Sequence, residues 1–297
     1  MRKLTRPQKP PRCIERAQNA GATNWQRLRG RDRREIWIKL NEMQHRICAY
    51  CESAFSEGDS HIEHLYPRAK YEGLTFEWKN LFGSCNSQNS CGIYKDSARN
   101  PTATTHELLI KPDHDDPHRY FQYYKNGRIA GKPVLPEKMY QQAKETMRAF
   151  NLNNSALVSL RRSHLEPLMQ LEEEFILWCD LCEDDPDMLY DLEREIRSLL
   201  EEQIDTAYQS IKQHYIRKHL DLLGLIDEGE EIFKPKPPAP KRKKRKPRKK
   251  RRNRSYRASQ NRRSNTNSQR QNNSQNSQRR KKRKPKKSHS QQTKSKQ

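Results

Sequence analysis

The sequence predicts an α+β protein followed by a disordered polybasic tail. The chain has 297 residues and a net charge of +24, and 28 of its 61 basic residues but none of its 37 acidic residues lie in 234–297. Apart from prolines, that tail has three apolar residues, too few for burial to offset the entropy cost of ordering. Residues 1–233 carry 33 basic and 37 acidic residues and are long enough for a core, in one domain or two small ones.

The first half of the body predicts one helix and several short strands and turns. Residues 1–30 are rich in proline and arginine and show little periodicity, so we expect an extended segment. Apolar residues at helical spacing predict a helix over 31–47. Residues 48–100 are turn-rich and contain the clusters that carry chemistry. In 106–135, the Asn126-Gly127 turn predicts a β-hairpin between YFQYY and RIAGK.

The second half of the body predicts helices. One helix is expected over Glu137–Phe150, and a second begins with Ser155 as its N-cap and runs towards Asp180, with Pro167 as a kink. Seven apolar residues recur every three or four positions without glycine or proline, which predicts one long last helix; they are Leu192, Ile196, Leu200, Ile204, Ala207, Ile211 and Tyr215. This apolar seam suits either an interaction surface for another subunit or an internal helical hairpin.

We therefore expect four parts: an N-terminal extended segment, a core, a helical region and the basic tail, over 1–30, 31–135, 136–233 and 234–297. The N-terminus has no apolar stretch after its charges, unlike a secretory signal. No apolar run approaches the roughly 20 residues that span a bilayer. A cytoplasmic protein without membrane contact is expected. In that compartment, seven cysteines suggest metal ligands before disulfides.

Two cysteine pairs predict a structural zinc site. The four residues are Cys48, Cys51, Cys85 and Cys91. Thiolates two residues apart converge on one tetrahedral ion, and a second pair closes the site. The alternative is four buried free cysteines, which the two-pair layout disfavours. Cys179 and Cys182 have the same spacing, but they lie in an amphipathic helical segment and are expected to be core or half-buried thiols.

The stretch HIEHL at 61–65, between the two cysteine pairs, predicts acid–base and metal chemistry. Strand alternation places Glu63 and His64 on opposite faces. With a pKa near neutrality, His64 suits a general base that activates water, and Glu63 suits an oxygen ligand for Mg²⁺ or Mn²⁺. Such an ion polarises a scissile phosphate. The alternative, surface histidines beside a surface glutamate, is disfavoured by the flanking cysteines.

An ordered set of motifs over about residues 45–100 resembles the HNH nuclease pattern: Cys48-x2-Cys51, Glu63-His64, Pro67, Asn80-Leu81, Cys85, Cys91 and Lys95. In that family a ββα-metal finger holds one divalent ion over a phosphodiester, and cysteine pairs bind a structural zinc. The resemblance implies a finger of this kind wrapped by helices. It also implies that His64 is the general base, that Glu63 holds the ion and that Asn80 orients His64.

The chain departs from the HNH pattern at one ligand position. Directly after the last cysteine the family has asparagine or histidine, whereas this chain has Gly92. The candidates for the second ligand of the catalytic ion are Asp96, Asn89 and His61. The same departure favours an alternative function, a catalytically inactive scaffold that is stapled by zinc and binds nucleic acid or an ATPase.

Longer stretches resemble the HNH subunits of retron and Septu antiphage systems, the PtuB-like group, over roughly residues 1–225. They are MRKL, CAYCES, HIEHLYPRAKY, FEWKNL, SCGIYKD and LIKPDHDDPHRYFQYYKNGRI. This resemblance implies an effector nuclease of bacterial antiphage defence that cuts DNA or tRNA. It further implies an SMC- or ABC-like ATPase partner and, in retrons, a reverse transcriptase with its msDNA.

Basic side chains are the candidates for contacts with nucleic acid. They are Arg68, Lys95 and, in the tail, Lys241, Arg242, Lys243, Lys244 and Arg245. A polycation binds phosphates without sequence preference. The alternative is a tail that serves solubility or binds any polyanion. We interpret the aspartates Asp113, Asp115 and Asp116 as exposed loop acids rather than metal ligands.

Overall fold

Short helices surround two small antiparallel sheets in the described part of the chain. The computed structural model describes residues 1–56, 58–182 and 185–226. The predicted basic tail lies outside these residues, and so do its phosphate-binding candidates Lys241 to Arg245. Among the described helices, none is long and apolar enough to cross a membrane. The short helices and the two small sheets confirm the predicted mixture of helices and strands.

The elements of the first half are α1 (Arg12–Asn19), α2 (Gly30–Gln44), β1 (Ser60–His64), β2 (Leu81–Cys85) and α3 (Cys91–Lys95). Strands β1 and β2 pair antiparallel, with Glu63 opposite Phe82. Helix α2 is the predicted one, and it ends at Gln44 because His45 adopts the left-handed conformation. The Gln44 amide then donates to the carbonyl oxygen of Gly83 and accepts from its N–H, at 2.9 and 2.8 Å. This clamp ties α2 to β2.

The N-terminal segment is partly helical, which corrects the expectation of an extended conformation. Pro11 precedes α1 with a φ of −57°, the value that proline imposes and that a helix start accepts. Cys13 and Ile14 are buried, so packing supplies the stability that eight residues lack on their own. The sequence signal was weak because the apolar residues of so short a helix span barely one turn.

Arg6 anchors the N-terminal segment to the start of β2. Its guanidinium lies 4.7 Å from the Trp78 ring centre and donates to the carbonyl oxygens of Trp78 and Leu81, at 2.9 and 3.0 Å. Asp113 pairs with this guanidinium and is buried, so it is not the exposed loop acid that we expected. The two other aspartates of that loop accept backbone N–H groups within it, as turn residues do.

The predicted hairpin is confirmed. Strand β3 (Phe121–Tyr123) pairs antiparallel with β4 (Ile129–Gly131) across the Asn126-Gly127 turn. Gly127 has a φ of +84°, and a Cβ at this position would overlap the carbonyl oxygen of Val158. Glycine is required here both by the left-handed backbone and by the helix that packs against it.

The second half contains α4 (Glu137–Ala149), α5 (Ser155–Gln170), α6 (Glu172–Cys182), α7 (Pro186–Glu202) and α8 (Gln209–Tyr215), and a π-helical turn (Ile216–Leu220) follows. Helix α4 matches its prediction. The N-cap of α5 is Asn154 rather than Ser155, since its side-chain oxygen accepts the N–H of Leu157 at 3.1 Å. The helix expected to continue towards Asp180 is interrupted at Leu171, while Cys179 is buried as predicted.

The single long helix predicted from the apolar seam is wrong, because the chain breaks between α7 and α8. Asp205 and Tyr208 adopt left-handed conformations in this break. Tyr208 donates its N–H to the carbonyl oxygen of Glu52, and its hydroxyl lies 2.7 Å from the Ser53 hydroxyl. The break thus docks on the loop that carries the first two cysteines. Most of the seam is buried within the chain, which matches internal packing.

Candidate active site

The four predicted zinc ligands converge on one point. Their sulfur atoms all lie within 4.8 Å of one another. The Cys48–Cys91 and Cys51–Cys85 sulfur separations are 3.7 and 3.8 Å. A disulfide would need about 2 Å. Four thiolates about 2.3 Å from a tetrahedral zinc stand about 3.8 Å apart. The cluster therefore fits a structural metal ion such as zinc.

Each sulfur is placed by a tight piece of backbone. Cys48 and Cys51 lie in a narrow loop, which is closed by the Cys48 N–H donating to the Ser53 carbonyl at 2.9 Å. The Ser53 N–H in turn points at the Cys51 sulfur, 3.4 Å away. Cys85 is the last residue of β2 and Cys91 the first of α3. The site thus joins the loop, the sheet and the helix that surround HIEHL.

The four thiols share negative charge, as metal-binding cysteines do. Burial disfavours ionisation of Cys48, but hydrogen bonds from the other three thiols hold its pKa well below the usual range. Burial and hydrogen bonds with the other three cysteines raise the pKa of Cys91. Such a proton-sharing set is suited to a cation, because zinc replaces the thiol protons and binds the thiolates.

Glu63 is a buried carboxylate with an incomplete set of partners. Its Oε2 lies 3.1 Å from Nε2 of His61, and its Oε1 lies 3.1 Å from Nζ of Lys95. Apart from this ammonium, Oε1 has no partner among the described residues. Burial raises the pKa of Glu63, but the charge of Lys95 and the contact with His61 together outweigh this and hold it below the usual value. A buried, ionised carboxylate fits a divalent cation.

Lys95 is fully buried among acidic and carbonyl groups. Besides Glu63, its ammonium contacts Oδ1 of Asp96 at 2.6 Å and the carbonyl oxygen of His64 at 3.4 Å. The Asp96 side chain is 39% exposed, so water shares its charge. This position of Lys95 favours a role in holding Glu63 over the direct phosphate contact that the sequence suggested.

Gly92 lies against the carboxylate and imidazole of β1. A Cβ at this position would stand 2.5 Å from Cδ of Glu63 and 2.9 Å from Nε2 of His61. Both distances are shorter than side-chain carbons tolerate, and the space beside α3 is therefore filled from β1. The other candidate ligand, Asn89, has an exposed side chain.

His64 is a neutral, buried imidazole. Its ring meets the edge of Trp25 with centroids 4.5 Å apart, and Nε2 lies 3.0 Å from the carbonyl oxygen of Thr75. A carbonyl only accepts, so Nε2 carries the proton and Nδ1 is the basic nitrogen. Burial, with a smaller effect from the positive charge of Arg68, lowers the pKa to about 4. The near-neutral pKa that we expected is thus wrong.

Asn80 binds the backbone close to His64 and not the imidazole itself. Its Oδ1 accepts the N–H of Tyr66 at 2.8 Å, and its Nδ2 donates to the carbonyl oxygens of Tyr66 and Leu74, at 3.0 and 3.1 Å. Asn80 therefore fixes the chain that leaves β1 just after His64, and it acts on the imidazole only through that backbone.

The structure brings to the site two residues that the sequence did not single out, Trp25 and Asn86, and places the predicted phosphate contact Arg68 beside Trp25. Trp25 packs on His64, and Arg68 lies 5.9 Å from the Trp25 ring centre. Asn86 contacts His61 at 3.0 Å. Trp25 could have been recognised from the sequence as a site residue, because a tryptophan is unusual in a polar, arginine-rich segment. The asparagine in the NSQNS stretch carried none, because its role depends on the β1–β2 pairing.

Two curated proteins resemble this chain. It is 30% identical over 106 residues to the Septu protein PtuB of Bacillus thuringiensis, a match that covers 34% of this chain and 38% of the relative. It is 24% identical over 140 residues to the "Retron Vc95 putative HNH endonuclease" of Vibrio cholerae serotype O1 biovar El Tor, over 45% of this chain and 64% of the relative. The chain thus spans less than two thirds of either relative.

No protein-family profile matches the chain. The two relatives are nevertheless the groups that the motifs of residues 45–100 and the longer stretches indicated. The resemblance predicted from the sequence, to HNH proteins of Septu and retron defence systems, is therefore confirmed.

Proposed function

We propose that this protein is a metal-dependent HNH endonuclease that hydrolyses phosphodiester bonds in DNA or tRNA. The observation that carries the proposal is the position on β1 of a neutral histidine, His64, next to a buried, ionised carboxylate, Glu63, whose Oε1 pairs with Lys95 and whose Oε2 faces His61. The order β1, β2, α3 around them, with the four-cysteine cluster beside it, supports a ββα-metal finger.

The residues divide the hydrolysis between them. When bound, Mg²⁺ or Mn²⁺ polarises the scissile phosphate and stabilises the leaving oxygen. Glu63 holds the ion, and Lys95 neutralises its other oxygen. Nδ1 of His64 takes the proton of the attacking water, while the Thr75 carbonyl keeps the proton on Nε2. Asn80 fixes the backbone that follows His64.

Exposed arginines that follow Trp25 in the chain support nucleic acid as the substrate. Trp25, which packs on His64, begins a segment with five exposed arginines; they are Arg27, Arg29, Arg31, Arg33 and Arg34. None of them forms an ion pair with a described residue, so their charges are available to phosphates. Arg68 adds a further exposed charge on the same side. The basic tail, through Lys241 to Arg245, would add affinity without sequence preference.

The biological setting is carried by the resemblance and by the relatives' names. One relative is a Septu protein and the other belongs to a retron. We therefore place the chain as the effector nuclease of a bacterial antiphage system. An SMC- or ABC-like ATPase and, in a retron, a reverse transcriptase with its msDNA are the proposed partners.

A cleavage assay tests the proposal. The full chain is incubated with plasmid DNA, single-stranded DNA and total tRNA, with Mg²⁺, Mn²⁺ or neither, and with and without a candidate SMC- or ABC-like ATPase. Divalent-dependent cutting that is lost in His64→Ala is expected. His114→Ala is the matched control, because His114 lies in an exposed loop.

The same assay distinguishes the nuclease from the alternative function. A zinc-stapled binding scaffold retains zinc and binds nucleic acid but cuts nothing under any of these conditions. If the unaltered chain and His64→Ala both bind nucleic acid and neither cuts it, the proposed nuclease is refuted.

A further inference from the structure

We infer that His61 is the second ligand of the divalent ion, paired with Glu63 on β1, and that Asn86 and Gly92 make this possible. The inference rests on the proposed nuclease, since it names how that ion is held. It assigns the missing ligand to a strand instead of to α3, where the resemblance would place it.

The first step is the orientation of Asn86. Its Nδ2 donates to the carbonyl oxygen of Gly58 at 2.9 Å, which places Oδ1 on the side of His61. Nδ1 of His61 lies 3.0 Å from this oxygen. An amide oxygen only accepts, so Nδ1 of His61 carries the proton. In the neutral ring Nε2 is then the nitrogen with the free lone pair, the form in which histidine binds metals.

The second step is what Nε2 faces. It lies 3.1 Å from Oε2 of Glu63, and without a cation between them two lone pairs oppose each other. A proton or a metal ion resolves this opposition. Two adjacent ligands of an octahedral ion, each about 2.1 Å from it, stand about 3.0 Å apart. The observed separation therefore matches a pair of ligands on one small divalent ion.

The third step is the space in front of the pair. A Cβ at Gly92 would lie 2.9 Å from Nε2 of His61 and 2.5 Å from Cδ of Glu63. Any side chain here would push both ligands away. Gly92 and His61 are thus complementary. The position on α3 has no side chain to bind the ion, and the His61 side chain from β1 occupies the space that such a side chain would fill.

The other candidates for the second ligand, Asp96 and Asn89, are less suited to bind the ion. Asp96 directs Oδ1 to the ammonium of Lys95 at 2.6 Å, and the Asn89 side chain is exposed. Lys95 also lies against Oε1 of Glu63, so that carboxylate offers mainly Oε2 to the ion. One imidazole and one carboxylate oxygen form a weak, exchangeable site, with water and phosphate oxygens as the remaining ligands.

Direct Mn²⁺ binding tests the inference without using cleavage. Zinc-loaded full chain is titrated with Mn²⁺ and the free ion is measured by electron paramagnetic resonance. Bound Mn²⁺ should show a ¹⁴N coupling from imidazole in pulsed spectra. We expect His61→Ala to lose that coupling and to weaken binding at least 10-fold. Asn86→Ala should weaken it roughly 10-fold, as loss of an outer hydrogen bond does, and Asn86→Asp should restore it.

Gly92→Ala should also weaken Mn²⁺ binding, whereas Asn89→Ala should change it less than 2-fold. Zinc content and circular dichroism report whether each variant is folded. Absence of ¹⁴N coupling in the unaltered chain, or an unchanged affinity in His61→Ala, would overturn the inference. If His61→Ala still cleaves nucleic acid, the proposed nuclease holds but His61 is not its metal ligand. If the unaltered chain binds Mn²⁺ with ¹⁴N coupling but cleaves nothing, His61 is a metal ligand and the proposed nuclease is wrong.

Discussion

Replacing Lys95 with methionine should destabilise the protein strongly, because it leaves the carboxylate of Glu63 buried without its cation. The two charges are 3.1 Å apart and both side chains are buried. At an effective dielectric constant of about 20, their attraction is about 5 kcal/mol. Removing one partner of such a pair costs about 3–5 kcal/mol. Asp96 adds little to this loss, because it is partly exposed and hydrated.

The assay is chemical denaturation at neutral pH, followed by tryptophan fluorescence at matched zinc content. The expected loss is about 3–5 kcal/mol for Lys95→Met, with a substantial recovery when Glu63→Gln is added, because a neutral pair needs no counter-charge. Lys125→Met is the matched control. Its pair with Glu172 is even shorter, at 2.7 Å, but its side chain is 42% exposed, so a loss below about 1 kcal/mol is expected. A loss below 1 kcal/mol for Lys95→Met would show that Glu63 does not depend on this ammonium.

Three further predictions concern the zinc site, a buried histidine and the hairpin. Cys91→Ser should lower bound zinc, measured by elemental analysis, and lower the melting temperature; equal zinc in both proteins would contradict the four-cysteine site. His106 is buried with neither ring nitrogen hydrogen-bonded to a described residue, and burial lowers its pKa to about 4. The unfolded chain binds its proton first, so stability falls as the pH drops from about 6.5 towards 4; His106→Phe should flatten this part of the melting-temperature profile, and an identical slope would refute the assignment. Gly127→Ala should cost at least about 1–3 kcal/mol through backbone strain and overlap with Val158, whereas Gly73→Ala, in open space, should be nearly neutral.

Local patterns predicted the elements that depend on neighbouring residues. The Asn126-Gly127 turn, helix α4 and the convergence of the four cysteines were all predicted from spacing and turn chemistry. The break between α7 and α8 was not, because the apolar period continues through it. Contacts of Tyr208 with the cysteine loop override the local preference, and such contacts join residues about 155 positions apart.

The candidate site shows the same division. HIEHL and its order relative to the cysteines indicated the chemistry, and the resemblance named the residues. The low pKa of His64, the indirect role of Asn80 and the buried position of Lys95 were beyond the sequence. Each of these properties depends on the groups that surround a side chain. Those groups come from the segment between α1 and α2, from the turns that precede β2, and from α3 itself.

By itself, the sequence determined which residue types carry the chemistry and in what order, because thiolate pairs, a histidine beside a carboxylate and a polycation have their properties wherever the chain places them. Tertiary structure alone decided their charge states and partners. Burial sets the pKa of His64, and Asn86 sets the tautomer of His61. Gly92 illustrates the difference: in the sequence it is a missing ligand, and in the folded chain it is the space that His61 and Glu63 need, because side chains from two elements cannot occupy one volume.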